Sequence, residues 1–160
     1  MSGKRLTEKQ IQKKIREVLK TGMWMLRRSD AGKSYGGFQW ETVGCWTEAP
    51  DWNQKSQCGG GLHGNGPKSS GYWTGGKDLD FCAVEDVVDI DGDKIKCRRA
   101  MILLRNSLPD NLSCGGSLDL SGCTGITSLP DNLSVGESLY LSGCTIKNIE
   151  QIKRKFHCIF

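Results

Sequence analysis

Residues 108–124, LPDNLSCGGSLDLSGCT, recur as residues 129–145, LPDNLSVGESLYLSGCT. Fourteen of the seventeen positions are identical at an offset of 21 residues, which chance does not produce. A tandem duplication of this kind predicts a repeated structural unit whose copies stack on one another and bury a shared set of apolar side chains.

Each copy of the repeat contains one short predicted strand, at residues 117–121 and 138–142. Alternate side chains of a strand face opposite sides, so the leucines of the Leu-x-Leu pattern point inward and the residues between them point outward. The outward positions are candidate contacts for a binding partner. They are Asp119, Ser121, Tyr140 and Ser142.

The Leu-x-Leu-x-x-Cys pattern and the Ile-Thr-Ser-Leu-Pro step at residues 126–130 resemble the short leucine-rich repeats of bacterial and phage proteins. The resemblance covers roughly residues 100–152 and implies a solenoid that binds proteins on its exposed strand face. About three repeats are needed for stability, so both ends need caps. We expect a degenerate first rung at residues 101–108 and a short amphipathic helix at residues 150–156.

The N-terminal part predicts a helix followed by strands. Thr7 and Gln10 form a capping box, apolar residues recur at helical spacing, and Gly22 ends the helix. We therefore predict an α+β fold, with an N-terminal helix on a small, mostly antiparallel sheet that continues into a short capped leucine-rich-repeat solenoid. Residues 1–100 would form the compact α+β domain, and residues 101–160 the repeat segment with its helical cap.

Three motifs precede the repeat: GGFQW at residues 36–40, APDW at residues 49–52 and CGGGLHG at residues 58–64. Together they resemble a domain of bacterial and phage proteins to which no activity is assigned. The resemblance implies a bacterial or phage source, but it implies no enzymatic reaction. Combined with the predicted binding face, it favours a non-catalytic protein-binding module, such as an inhibitor of a host or rival defence system.

The glycine-rich CGGGLHG loop suggests a catalytic alternative. Cys58 and His63 would form a nucleophile–base pair, with backbone N–H groups of the loop stabilising a developing negative charge. By analogy with ADP-ribosyltransferases, the loop would belong to a nucleotide- or NAD-handling pocket with Glu85 as the acid. The opposing interpretation is a purely structural loop, which the sequence favours over catalysis.

The cysteines and histidines also allow a zinc site. Its candidate ligands are Cys45, Cys58, His63, Cys82 and Cys97. No two of them have the Cys-x-x-Cys spacing that is typical of structural zinc, and we therefore expect no cofactor.

Charge is distributed unevenly along the chain. Residues 1–45 hold ten Lys and Arg against four Asp and Glu, whereas the formal net charge of the whole chain is +4. The basic N-terminal helix, with Lys13 and Arg16, would bind nucleic acid if it is not simply a solvated surface.

Compartment and assembly follow from composition. We expect a cytoplasmic protein, or one acting in the host cytoplasm if phage-encoded, because the start MSGKRLTEKQ is no signal peptide, no apolar run is long enough to span a membrane, and the eight cysteines need no disulfide framework. An open edge strand of the repeat would allow a homodimer.

Overall fold

A computed structural model describes residues 3–34, 37–69, 76–90, 92 and 94–160. Gly36 of the GGFQW motif lies outside the described residues. The chain begins with helix α1, Glu8–Thr21, where the Thr7 side chain accepts the Gln10 N–H and the Gln10 side chain accepts the Thr7 N–H. Gly22 ends the helix with a φ of 77°. Among the described residues, no helix is long and apolar enough to cross a membrane.

The helix packs on a five-stranded antiparallel sheet. The strand order is β1-β4-β5-β2, and β3 also pairs with β5. The long β4–β5 hairpin is the centre of this sheet, and its register shifts between Phe81 and Cys82. The strands are β1 Trp24–Ser29, β2 Trp46–Glu48, β3 Leu62–Gly64, β4 Asp78–Ile90 and β5 Lys94–Arg105.

The two faces of the antiparallel sheet bury separate apolar clusters. On one face, Phe81 and Met101 pack with the buried residues of α1 and with the leucines of the repeat. On the other face, Met25, Trp40 and Leu62 surround the side chains of Cys82 and Cys97. The larger cluster therefore holds the helix, the sheet and the repeat together.

The repeat folds into short parallel strands. Equivalent segments of the two copies pair with each other, β6 with β8 and β7 with β9, and the last strand, β10, adds to β9 in parallel. A second helix, α2, spans Ile149–Lys155 and precedes β10, His157–Ile159. The four other strands are β6 Ser113–Cys114, β7 Leu118–Asp119, β8 Ser134–Val135 and β9 Ser138–Tyr140.

The predicted leucine-rich-repeat solenoid is wrong. The described residues form a mostly antiparallel sheet with one long helix and one short helix. Residues 101–105, expected to start a first rung, are the end of β5 and pair antiparallel with β4 and β2. Two repeats bury too little surface on their own, and their leucines complete the core beneath α1 and the antiparallel sheet instead.

The expected boundary between residues 100 and 101 falls inside β5, Lys94–Arg105. This strand joins the antiparallel sheet to the repeat without a linker. Arg105, at its end, reaches back to Asp80 of β4, where the guanidinium Nε lies 2.8 Å from the carboxylate.

Candidate functional site

The three-stranded parallel sheet aligns side chains from three segments of the chain. The pairing register places Asp119, Tyr140 and Ile159 side by side on β7, β9 and β10. A second row places Ser138 beside His157, whose Nδ1 lies 2.9 Å from the serine hydroxyl oxygen. Both rows lie opposite the buried leucines, because side chains alternate along a strand.

The exposed part of this sheet lies on β9 and β10. Ser142 is exposed and Tyr140 is half-buried. Ile159 is 37% exposed and Phe160, which follows it, is 61% exposed with the Lys153 ammonium 5.0 Å from its ring centroid. We call Tyr140, Ser142 and Ile159 the β9–β10 face.

The β7 end of the sheet is covered. Asp119, predicted to be an exposed contact residue, is only 8% exposed, and its carboxylate accepts the backbone N–H of Ser121. The half-buried Ser121 has its carbonyl oxygen bound by the guanidinium of Arg28, which also donates to the carbonyl of Gly76. Arg28 comes from β1, so the sequence pattern of the repeat could not indicate it.

Lys13 and Arg16 lie on the solvent-exposed side of α1. This side is opposite the buried stripe that packs on the antiparallel sheet. Lys13 and Arg16 therefore form a surface that is separate from the β9–β10 face.

The Cys58 thiol is exposed and its partner is Lys94, whose ammonium lies 2.8 Å from Sγ. The hydrogen bond from Lys94 is the main cause that lowers the pKa of the Cys58 thiol. His63 was predicted to act as a base for Cys58, but its Nε2 accepts the backbone N–H of Gly59 at 3.3 Å. Burial and the nearby Lys94 and Lys96 ammonium groups lower the pKa of His63, which favours the neutral imidazole that this bond requires.

Lys96 explains the conformation of the glycine-rich loop. Its side chain is fully buried, and its ammonium donates to the carbonyl of Gly59 and to the Asn53 side-chain oxygen, both at 2.9 Å. A Cβ at Gly60 would collide with the Asn53 side chain, and a Cβ at Gly61 would lie 3.3 Å from Lys96. The glycines therefore let the loop close tightly over a buried cation.

Sequence reasoning missed both lysines of β5 that contact this loop, Lys94 and Lys96. The available signal was the spacing of Lys94 and Lys96, which places two cations on the same face of a predicted strand. Glu85, the proposed acid, instead binds Arg99 at 3.3 Å. The described contacts thus join Cys58 to a lysine and Glu85 to an arginine, and do not form the predicted catalytic arrangement of Cys58, His63 and Glu85.

The five candidate zinc ligands are divided between different environments. Cys82 and Cys97 are completely buried, and burial raises the pKa of both thiols, that of Cys97 to about 12. Cys45 is also buried, whereas Cys58 is exposed. His63 lies opposite Lys96 in the register and its neighbour Leu62 lies opposite Cys97, so His63 and Cys97 face opposite sides of the sheet. Within the described ranges, no group of three or more His, Cys, Asp or Glu side chains is placed to hold a metal ion.

Cys58 is expected to be the thiol that reacts fastest with an alkylating reagent, because its lowered pKa maintains the thiolate at a lower pH. The Lys94→Met variant removes the stabilising ammonium, so we expect the midpoint of the rate–pH profile to move to higher pH. Alkylation with iodoacetamide, followed by mass spectrometry of Cys58, measures the effect. Lys55→Met, an exposed cation of the same loop, is the control, and the same midpoint in wild type and Lys94→Met would contradict the assignment.

Comparison of the chain with protein families, with curated proteins and with solved structures returns no match. The resemblances that the repeat and the three N-terminal motifs indicate therefore stay predictions.

Proposed function

We propose that this chain is a non-catalytic protein-binding module that uses the β9–β10 face as its contact surface. The observation that carries the proposal is the exposure of Ile159 beside Tyr140 at the edge of a parallel sheet. Exposed apolar and aromatic side chains that adjoin one another mark interaction sites, whereas single exposed apolar residues need no explanation.

The composition of the β9–β10 face is typical of a protein contact. Aromatic residues are enriched in protein interfaces, and a polar rim surrounds their apolar centre. Here Tyr140 supplies aromatic surface and Ile159 apolar surface, while Ser142 and His157 supply hydroxyl and imidazole groups at the border. These groups can hydrogen-bond to a partner's backbone or side chains.

The face is supported by a rigid interior. Leu139 and Leu141 of the same segment are 0% and 2% exposed, and Ile152 of α2 is 1% exposed. A surface held by a packed core loses little conformational entropy on binding, which increases the affinity that a given contact area provides. The β9–β10 face is therefore pre-organised for a partner.

We further propose that the module acts in the cytoplasm. All eight cysteines of the chain are free thiols, four of them within the larger apolar cluster or packed against it: Cys114, Cys123, Cys144 and Cys158. Free thiols persist in reducing compartments and tend to be oxidised outside them, so the cysteine chemistry supports this location.

Binding through this face is tested with the Ile159→Lys/Ser142→Lys double variant. We expect it to lose at least tenfold in affinity for a captured protein, since a charge in the centre of an apolar contact must be desolvated. The measurement is quantitative capture from nuclease-treated bacterial lysate, read by mass spectrometry, followed by titration of the purified partner.

The matched control is Met23→Lys. Met23 is 37% exposed, the same as Ile159, but precedes β1 on another part of the molecule. Retained capture by Met23→Lys together with loss in the double variant, at unchanged melting temperature, supports the proposal. Equal capture by both variants would show that the β9–β10 face is not the contact surface.

A further inference from the structure

Four cations form one straight row along the solvent side of α1. They lie at positions i, i+4, i+7 and i+11, which a helix places on a single face. All four side chains are exposed. We call them the α1 cation row, and they are Lys9, Lys13, Arg16 and Lys20.

The α1 cation row is not neutralised within the described part of the molecule. There, the ion pair formed by α1 is Lys14 with Glu17, at 3.9 Å, and neither residue belongs to the row. The other acidic residue of the helix, Glu8, accepts a hydrogen bond from the Gln12 side chain at 3.1 Å. Like charges four residues apart on a helix are mildly destabilising, so folding does not require this alignment.

A groove of about 210 Å³ adjoins the row. Lys13 belongs to both, since it lines the groove together with Gln10, Lys14 and Glu17 on the α1 side. The floor of the groove contains Trp46 and Met101. Trp46 is half-buried, with the Arg99 guanidinium carbon 4.2 Å from its ring centroid and the Lys14 ammonium 5.6 Å from it.

We propose that the α1 cation row and this groove form a binding site for single-stranded nucleic acid. Lys9 and Lys20 are eleven residues apart, or about 16 Å at the rise of an α-helix, and a strand with the phosphate spacing of stacked DNA, about 3.4 Å, carries about five phosphates over that length. Proteins that bind single strands combine such a cationic track with an aromatic side chain on which an unstacked base lies. Trp46, with the Arg99 guanidinium over its ring, provides an aromatic and guanidinium surface against which a base can lie.

The groove favours a single strand over a duplex. In a duplex, the bases are stacked inside and present only their edges and phosphates, so the groove beside Lys13 would stay unused. An acidic peptide would satisfy the row but has no planar group at regular spacing to place against Trp46. The combination of a regular row of cations and an aromatic groove therefore favours single-stranded nucleic acid over a duplex or an acidic peptide.

The site is tested by fluorescence anisotropy with a labelled twelve-nucleotide oligothymidylate. Four phosphate contacts predict a slope of about −2.8 in a plot of log K against log salt concentration. The affinity is therefore expected to fall about 50-fold between 50 mM and 200 mM salt. In Lys13→Gln/Arg16→Gln, the slope is expected to fall to about −1.4.

Lys147→Gln/Arg154→Gln is the matched control, because it removes two exposed cations from the other end of the chain and changes the net charge equally. It should keep the wild-type slope. The same reduced slope in both double variants, or no binding at 50 mM salt, overturns the proposal.

The groove is tested separately with Trp46→Leu, which keeps an apolar side chain on the floor. Because Trp46 also packs against the apolar core, affinity is compared well below the melting temperature of both proteins, where we expect a several-fold loss of affinity for the single strand. Equal affinity of the wild type for a twelve-base-pair duplex, or displacement of the strand by polyglutamate at equal charge, overturns the assignment to a single strand. Ile159→Lys should not alter strand binding, so this site and the β9–β10 face succeed or fail independently.

Discussion

Asp80→Asn is expected to lower the free energy of unfolding by about 3–5 kcal/mol, the cost of removing one partner from a buried ion pair. Asp80 is 0% exposed and lies between two guanidinium groups. Its carboxylate oxygens are 2.8 Å from Arg105 Nε and 3.3 Å from Arg27 Nε, and one of them accepts the Ser29 hydroxyl at 2.9 Å. An asparagine keeps the shape and removes the charge.

The large effect arises because Arg27 has few other partners. It is 4% exposed, and its guanidinium carbon lies 3.7 Å from the Trp40 ring centroid. One guanidinium nitrogen donates to the Gly32 carbonyl at 3.1 Å, whereas Nε and Nη1 have no aligned hydrogen-bond acceptor within the described residues. Without the charge of Asp80, the Trp40 ring and the Gly32 carbonyl would offset only part of the desolvation cost of the buried Arg27 cation.

Asp86→Asn provides the matched control for Asp80→Asn. Asp86 pairs with Arg98 at 2.8 Å, but the two side chains are 54% and 49% exposed. Exposed pairs contribute about 0–1 kcal/mol, and asparagine tolerates the positive φ of 56° at this position. Urea denaturation of the two variants measures the difference. Similar losses in both variants would mean that Asp80 is not held as the structure indicates.

Gly136→Ala is expected to destabilise the chain by about 3 kcal/mol, the upper range for inserting atoms into a packed region. A Cβ at Gly136 would overlap the carbonyl oxygen of Gly115 and lie 2.8 Å from its carbonyl carbon. Both atoms are backbone and cannot rotate away. The Gly136 N–H also donates to the Cys114 carbonyl at 2.8 Å, so the two copies of the repeat would have to separate locally.

The repeat itself supplies the control for Gly136→Ala. Gly115 is the equivalent position in the first copy, 21 residues earlier, and a Cβ there would lie 3.1 Å from the carbonyl oxygen of Pro67. That contact is tight but does not overlap, and the lower entropy of the unfolded chain offsets part of its cost. We expect Gly115→Ala to cost about 1 kcal/mol or less. Equal melting temperatures of the two variants would contradict the packing of the copies.

The two proposed surfaces make different demands on a partner. The β9–β10 face contains apolar and aromatic side chains, so its affinity should depend weakly on salt. The α1 cation row contains exposed charges, whose attraction to phosphates is screened as salt concentration rises. A salt titration of each interaction therefore separates them without any variant.

The sequence determined the features that depend on neighbours along the chain. The capping box at Thr7, the end of α1 at Gly22 and the inward-facing leucines of the repeat follow from residues within a few positions of one another. The tandem duplication likewise predicts equivalent strands, and β7 and β9 do pair in register. Local dihedral preferences and side-chain periodicity are sufficient for these features.

Tertiary structure alone decided what the repeat packs on and which groups meet at the sites. Two copies of the repeat could begin a solenoid or complete another core. The apolar surface that α1, β4 and β5 contribute decides between these outcomes. Asp80 contacts Arg27, which is 53 residues earlier in the chain, and Arg105, which is 25 residues later. Such contacts depend on which distant segments bury each other's surface, and the free energy of that burial is a property of the whole fold rather than of any local sequence pattern.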